Sequence, residues 1–471
     1  MRLTDPSLSV SYHQEPVLKF GCGRLSVSPK HGLTAFGPRT LDDDDRHPER
    51  LRLGFIGSGK SIGSAKAWIE SCQAGVQGDD DNETFPGFSA EHGFYSQLVL
   101  AERLSETITT REIREVAEPR LRRDRFERAV DLLDDKLRLI SERDQPPDCV
   151  VLALPDTLLE HCRVVDFRDS ELGQVHRDFR RVLKSIAMKY RLPTQILLQK
   201  TSEATPESRN VDHKSRCAWN FFTSLYFKCG SVPWSPHGLS PGTCHIGVSF
   251  HRRSQQDNHK FFTSTAQAFD EHGEGLVLRG QDFNWDSNKL GPSPHLSADM
   301  AAGLVRNTLA RYQSEMQQVP SRVVLHKSSV FWPEEREGFA DALRGVHSYD
   351  LLSCNPVSDM RLLRDGQYPV LRGTQVQLGN QHLLYTTGFI PSLNAYPHGH
   401  VPSPLKVFDH VGDSPMDLLL PEILTLTKIN WNTAAFSGLL PITLRSSRVV
   451  GEIMTEIPNE RAPLPQFKYY V

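Results

Sequence analysis

The sequence predicts an α/β protein of two successive layered domains, and three observations carry that reading. Strand-like and helix-like segments alternate from residue 51 to about residue 230, as parallel strands joined by crossover helices do. Segment 149–154, CVVLAL, is apolar throughout, the pattern of a strand buried on both faces. Beyond residue 243, three β-type segments lie close together before α and β alternate again. An antiparallel meander running into an α/β core reads this way.

The elements follow in order. Residues 1–50 look irregular and end in the acidic run 42–45, a solvated loop by composition. A strand is expected over 51–56, a helix over 62–72 and a loop over 78–83. Helix 123–141 is strongly amphipathic, with Phe126, Ala129, Val130, Leu133, Leu137 and Ile140 on one face. A helix over 176–190, a strand over 195–198 and a helix over 215–229 complete a Rossmann-like half. Segment 233–242, rich in Pro, Gly and Ser, reads as a linker. Strands over 244–250, 263–269 and 276–278, a helix over 298–316, a strand over 323–326 and a helix over 333–345 follow. That succession suits an RNase H-like sheet. The division is therefore 1–50, 51–235 and 236–471.

With 38% hydrophobic and 24% charged residues, the 471-residue chain has the composition of a soluble globular protein. No run of about 18 apolar residues exists, so no membrane span is expected, and MRLTDPSLSV has no apolar signal core. Eight cysteines without Cys-x-x-Cys spacing suggest neither a zinc site nor a disulfide framework. A reducing cytoplasm is the natural setting. The 54 basic residues are outnumbered by 57 acidic ones, so any surface for a polyanion must be local.

Three clusters invite chemistry. Residues 54–61, GFIGSGKS, match the P-loop pattern and raise an ATPase alternative centred on Lys60. Against it, Gly54, Phe55 and Ile56 read as strand, which shortens the loop, and Pro155 interrupts the approach to Asp156. His398 and His400 have no carboxylate or thiolate cluster nearby in sequence and read as loop. Arg180 and Lys184 lie four apart on one helix face. Gln195 follows the end of that helix, and Lys228 closes the helix over 215–229. Cations and an amide converging in this way can hold a terminal phosphate through charge-assisted hydrogen bonds. The bland alternative is a solvated basic face.

Four stretches, LYFKCGSVPW (225–234), RVVLHKSSVF (322–331), LTKINWN (426–432) and LPITL (440–444), together resemble the MID–PIWI half of prokaryotic Argonautes from about residue 147 to 471. EPVLKF (15–20) and GLTAFGP (32–38) resemble the start of the short Argonautes that lack a PAZ domain. The resemblance implies a Rossmann-like MID domain followed by an RNase H-like PIWI domain. It assigns Arg180, Lys184, Gln195 and Lys228 to the pocket for a guide's 5′-phosphate, with arginine at a position more often Tyr or His. It also implies that Val471 helps hold a Mg²⁺ ion against that phosphate; a packed terminal strand is the bland reading.

Active PIWI domains hold paired metal ions on carboxylates. Here Ser249 follows Gly247-Val248 where the first aspartate is expected, and Lys327 stands at the second carboxylate position. A hydroxyl is a poor Mg²⁺ anchor and an ammonium repels the ion. Asp270, Glu271 and Asp282 are nearby in sequence but read as loop residues, so cleavage is not expected. By the same resemblance, His326, Lys327, Asn430, Asn432 and Arg445 face guide and target, whereas Trp431 beside its turn reads as core or platform. The implied partners are a small 5′-phosphorylated guide RNA, a target single-stranded DNA and an APAZ-containing effector protein. A sirtuin-like effector comes first, a TIR NADase next, with defence against plasmids or phage as the setting. Residues 1–50 are a candidate docking segment for that partner. The alternative is a working guide-dependent nuclease.

Overall fold

A computed structural model describes residues 8–169, 173–205, 208–256, 259–286, 291, 293–357, 359–396, 401–458 and 460–471. In the first half, four parallel strands line up as Gln97–Thr107, Arg50–Gly57, Cys149–Ala153 and Thr194–Ile196. Strand Cys149–Ala153 is buried throughout. Its alternate residues feed two cores: Cys149, Val151 and Ala153 meet Trp68 and Phe222, while Val150 and Leu152 meet Phe126, Leu137 and Leu183. Helices Gly59–Gln73 and Lys214–Lys228 supply the first core, and Arg122–Ser141 and Phe179–Lys189 the second.

The second half is built on an eleven-stranded mixed sheet. Three strands at its centre, Thr243–Gln256, Arg322–Lys327 and Ser348–Pro356, run parallel, with Val248 opposite Lys327 and Gly247 opposite His326. The meander His259–Phe269 and Gly275–Trp285 extends one side antiparallel. Gly247 is where helix Ile442–Met454 comes closest: a Cβ there would run into the Thr443 carbonyl. The glycine of the Gly-Val-Ser stretch is thus needed for packing. The whole is mixed α/β, as the sequence reading held.

Several elements differ from expectation. The helix expected over 176–190 spans only Phe179–Lys189, because Asp178 caps it by accepting the Arg180 and Arg181 amides. Residues Gly173–Asp178 before it form a strand paired with Val164–Asp169. Asp282, expected in a loop, lies on strand Gly275–Trp285. The expected linker contains strand Ser235–Pro236, paired with Leu18–Lys19, and the fully buried Trp234. Among the described residues no helix is long and apolar enough to cross a membrane.

Residues 8–50 are woven into both halves. Strand Leu8–Tyr12 adds to the edge of the large sheet beside Thr374–Leu378, and Leu18, Phe20 and Leu33 enter the main core. Glu15 is buried between Arg372 and Lys428, each 2.9 Å away. Lys428 also donates to the Pro16 and Val27 carbonyls, at 2.9 and 2.5 Å. Deleting residues 2–40 would therefore strip the core and cannot probe docking cleanly. A point change is sharper. Glu15→Gln should cost about 3–5 kcal/mol by leaving two buried cations without their counter-charge, read as a lower Tm at pH 7. Burial raises the Glu15 pKa, but Arg372 and Lys428 outweigh it and hold the carboxyl below its ordinary value. Its stabilisation is present above the usual glutamate pKa of about 4.3 and lost as pH falls through the folded value. The gap between wild type and variant should narrow in acid.

Candidate functional site

The helix Phe179–Lys189 buries Phe179, Val182, Leu183 and Ile186, which fixes Arg180 and Lys184 on the flank turned toward strand Thr194–Ile196. Helix Lys214–Lys228 brings Ser224 and Lys228 to the same place. Lys184 donates to the Thr194 carbonyl at 3.3 Å and to the Val471 main-chain oxygen. Lys228 donates to Gln195 Oε1, which also accepts from Ser224 at 3.2 Å. The two lysines are only 5% and 3% exposed. Arg180 is exposed, and its guanidinium has no partner among the described residues.

These four residues border one cavity of about 670 Å³, joined by Asn432, Arg163, Lys200 and the acids Asp156, Glu160 and Asp178. Burial pushes Lys184 well below its ordinary pKa, and Lys228 and Arg180 add to the push. Burial likewise lowers Lys228 to about 8. Buried ammonium groups placed side by side are poorly compensated, and a phosphate dianion supplies opposing charge. A Mg²⁺ ion is expected beside Val471, whose main-chain oxygen accepts from Lys184. An ion bound at that oxygen would share it with the Lys184 ammonium.

Sequence reasoning missed Arg163 and Lys200. The first is exposed just past helix Asp156–Cys162 and the second lies on the short helix Gln199–Ser202. Only the order of the parallel strands brings them to one mouth, and no spacing signal marks them.

At the two positions where carboxylates are expected, Ser249 shares a hydrogen bond of 2.9 Å with His251 Nε2. Lys327 turns inward. It ion-pairs with the fully buried Glu335 at 2.5 Å and lies over the rings of Phe250 and Phe331, 5.1 and 5.7 Å away. His326 is also interior, bonded to Thr443 Oγ1 at 2.8 Å, and burial pushes its pKa down to about 3. The expectation that His326 and Lys327 face guide and target is therefore corrected: each is 1% exposed, because both faces of a central parallel strand are covered.

Asn430 is half-buried and accepts from the Asn432 amide at 3.4 Å. Asn432 itself is exposed, lines the cavity and accepts from Ser224 at 3.1 Å. Arg445 is exposed on helix Ile442–Met454. Trp431 is core, 3% exposed, donating to the Trp234 carbonyl at 3.0 Å and packed on Phe227.

Asp270 ties its own turn, accepting from the His272 and Glu274 amides at 2.9 and 2.8 Å. Among the described residues, no group of three or more His, Cys, Asp or Glu side chains could hold a metal ion.

The P-loop reading fails on geometry. Gly54 to Gly57 lie in strand Arg50–Gly57, and only Ser58 separates it from helix Gly59–Gln73. Those backbone groups are engaged in a ladder with strands on both sides rather than free to cradle phosphate. Ser61 is buried and donates to the Ala153 carbonyl at 2.6 Å, while Lys60 projects outward to Glu203. His398 and His400 lie outside the described residues.

The fold is that of solved Argonautes. Clostridium butyricum Argonaute, bound to a guide DNA with a 5′ deoxycytidine and a 19-mer target DNA, superposes with a TM-score of 0.66 at 15% identity, covering 98% of this chain and 54% of that one. An Aa-Ago structure with externally bound siRNA gives 0.59 at 15% identity, over 98% and 56%. A. aeolicus Argonaute gives 0.58 at 14% identity, over 98% and 55%. This chain thus has an Argonaute-like fold and spans about half the length of the solved chains it matches. No family model and no curated protein matches it.

Proposed function

We propose that this protein is a nuclease-inactive short Argonaute. It holds a small 5′-phosphorylated guide RNA by its phosphate and presents the guide to complementary single-stranded DNA. Base pairing reads the sequence. Recognition then activates an associated APAZ-containing effector, sirtuin-like first and TIR-type next, as a cytoplasmic defence against plasmids or phage. One observation carries the reading: Arg180, Lys184, Gln195 and Lys228, from two helices and the strand between them, border a single cavity in which the two lysines are buried.

The absence of cutting is inferred from Ser249 and Lys327, which stand on neighbouring strands where the carboxylates that seat paired ions are expected. The direct test mixes purified protein, labelled guide and matched DNA with Mg²⁺ or Mn²⁺. A ternary complex with intact DNA is expected, and protein-dependent cleavage would overturn the inactive reading.

The Mg²⁺ ion expected beside Val471 gives a further expected result. Guide affinity should fall on chelation by EDTA, measured by fluorescence anisotropy. Affinity unchanged by EDTA would leave the phosphate to the lysines alone.

A further inference from the structure

The end of strand Arg322–Lys327 is built around Glu335. Its Oε2 accepts from Lys327 Nζ at 2.5 Å and from the Trp332 amide at 3.1 Å, and its Oε1 accepts from the Leu296 amide at 2.9 Å. One fully buried carboxylate thus joins the strand end, the segment leading to helix Ala298–Met316 and the start of helix Pro333–Ala342. The junction assembles an aromatic stack. Trp332 lies nearly parallel on His295, with centroids 4.2 Å apart and planes at 18°. His295 stands edge-on to the buried Trp285 at 4.5 Å, and Trp285 is pinned by a 2.8 Å hydrogen bond to the Gly291 carbonyl. Trp332 nevertheless stays 38% exposed, with Val330 beside it at 46%.

We propose that Trp332 is a stacking ledge for one nucleobase of the DNA target that the guide leaves unpaired. The inference rests on the function proposed above and adds a binding residue to it. A base suits the ledge better than a phosphate does, because the cation at this strand end, Lys327, is spent on Glu335 and buried. What remains is a flat ring backed by two others, and every base offers a π-face to such a ring. The Trp332 amide and Lys327 share the same carboxylate oxygen, so the backbone of the ledge is tied to the Lys327 strand end.

Target DNA carrying 5-iododeoxyuridine at single positions, annealed to a guide on the full protein, tests this by photocrosslinking and peptide mapping. An adduct on Trp332 from one position is expected. Trp332→Leu should abolish it and release target about tenfold faster, as loss of one stacked base implies. Trp332→Phe should stay close to wild type, and guide affinity should be unchanged in both. A ternary complex that forms without an adduct on Trp332, or a Trp332→Leu release rate equal to wild type, overturns the ledge alone. A chain that holds no guide overturns the ledge together with the proposed function.

Discussion

Changing Lys184 and Lys228 together to methionine should weaken binding of a 5′-phosphorylated guide by about 10²- to 10⁴-fold, the sum of two charge-assisted hydrogen bonds at roughly 1.5–3 kcal/mol each. A 5′-hydroxyl guide should bind the variant almost as it binds wild type, so the preference between the two ends disappears. Methionine keeps the stem that packs in the wall and removes the ammonium. Lys228 donates to the neutral Gln195 amide, and Lys184 to the main-chain oxygens of Thr194 and Val471, so the variant sheds the desolvation cost of two buried charges and should stay folded. Equal loss for both guide ends would mean that the cavity supports the fold and does not read phosphate.

The same cavity makes a signed pH statement. Lys228 titrates at about 8 in the folded protein because burial disfavours its charge, against about 10.4 for a free lysine. Between those values the unfolded chain binds more protons, so this group makes stability rise with pH. Affinity for the phosphate moves the other way and falls as pH rises through about 8, because the neutral amine has no charge to offer. Opposite slopes for melting temperature and for guide affinity separate a loss of binding from a loss of fold.

What the sequence displayed depended on repetition. Helix Ala298–Met316 was read with its true ends, and Arg122–Ser141 within one residue, because each repeats its apolar positions over four or five turns. The two-residue strands Leu18–Lys19 and Ser235–Pro236 are too short to show any period, so both the N-terminal segment and the supposed linker looked irregular. The four cavity residues were legible because helical spacing fixes Arg180 against Lys184, whereas Arg163 and Lys200 arrive only through sheet order. Strand Arg322–Lys327 deceived for a specific reason. A strand buried on both faces has no outward side, so nothing in its pattern marks His326 and Lys327 as interior. The signal that could have told lay eight residues on, in Glu335, the acid that follows Lys327 inside.

That pair sets the second large effect. Lys327→Ala should destabilise the protein by about 3–5 kcal/mol, the usual result of leaving a buried partner charge alone, with a clear fall in Tm. The cost has three sources: Glu335 loses its ammonium, two aromatic rings lose the cation above them, and the three segments gathered by Glu335 lose part of their tie. The double variant Lys327→Met with Glu335→Gln should recover much of the stability, since a neutral pair of similar volume avoids an unpaired buried charge. Installing carboxylates, Ser249→Asp with Lys327→Asp, should therefore fail twice. The carboxylate introduced by Lys327→Asp would meet Glu335 as a like charge in a buried site, and melting should show the loss before any cleavage assay could show a gain. A stable double-aspartate variant that cuts guide-matched DNA with Mn²⁺ would mean that the strand end had merely lost two carboxylates. The three-way junction on Glu335 argues instead that this end of the sheet is built as core, with the Lys327 charge committed to packing.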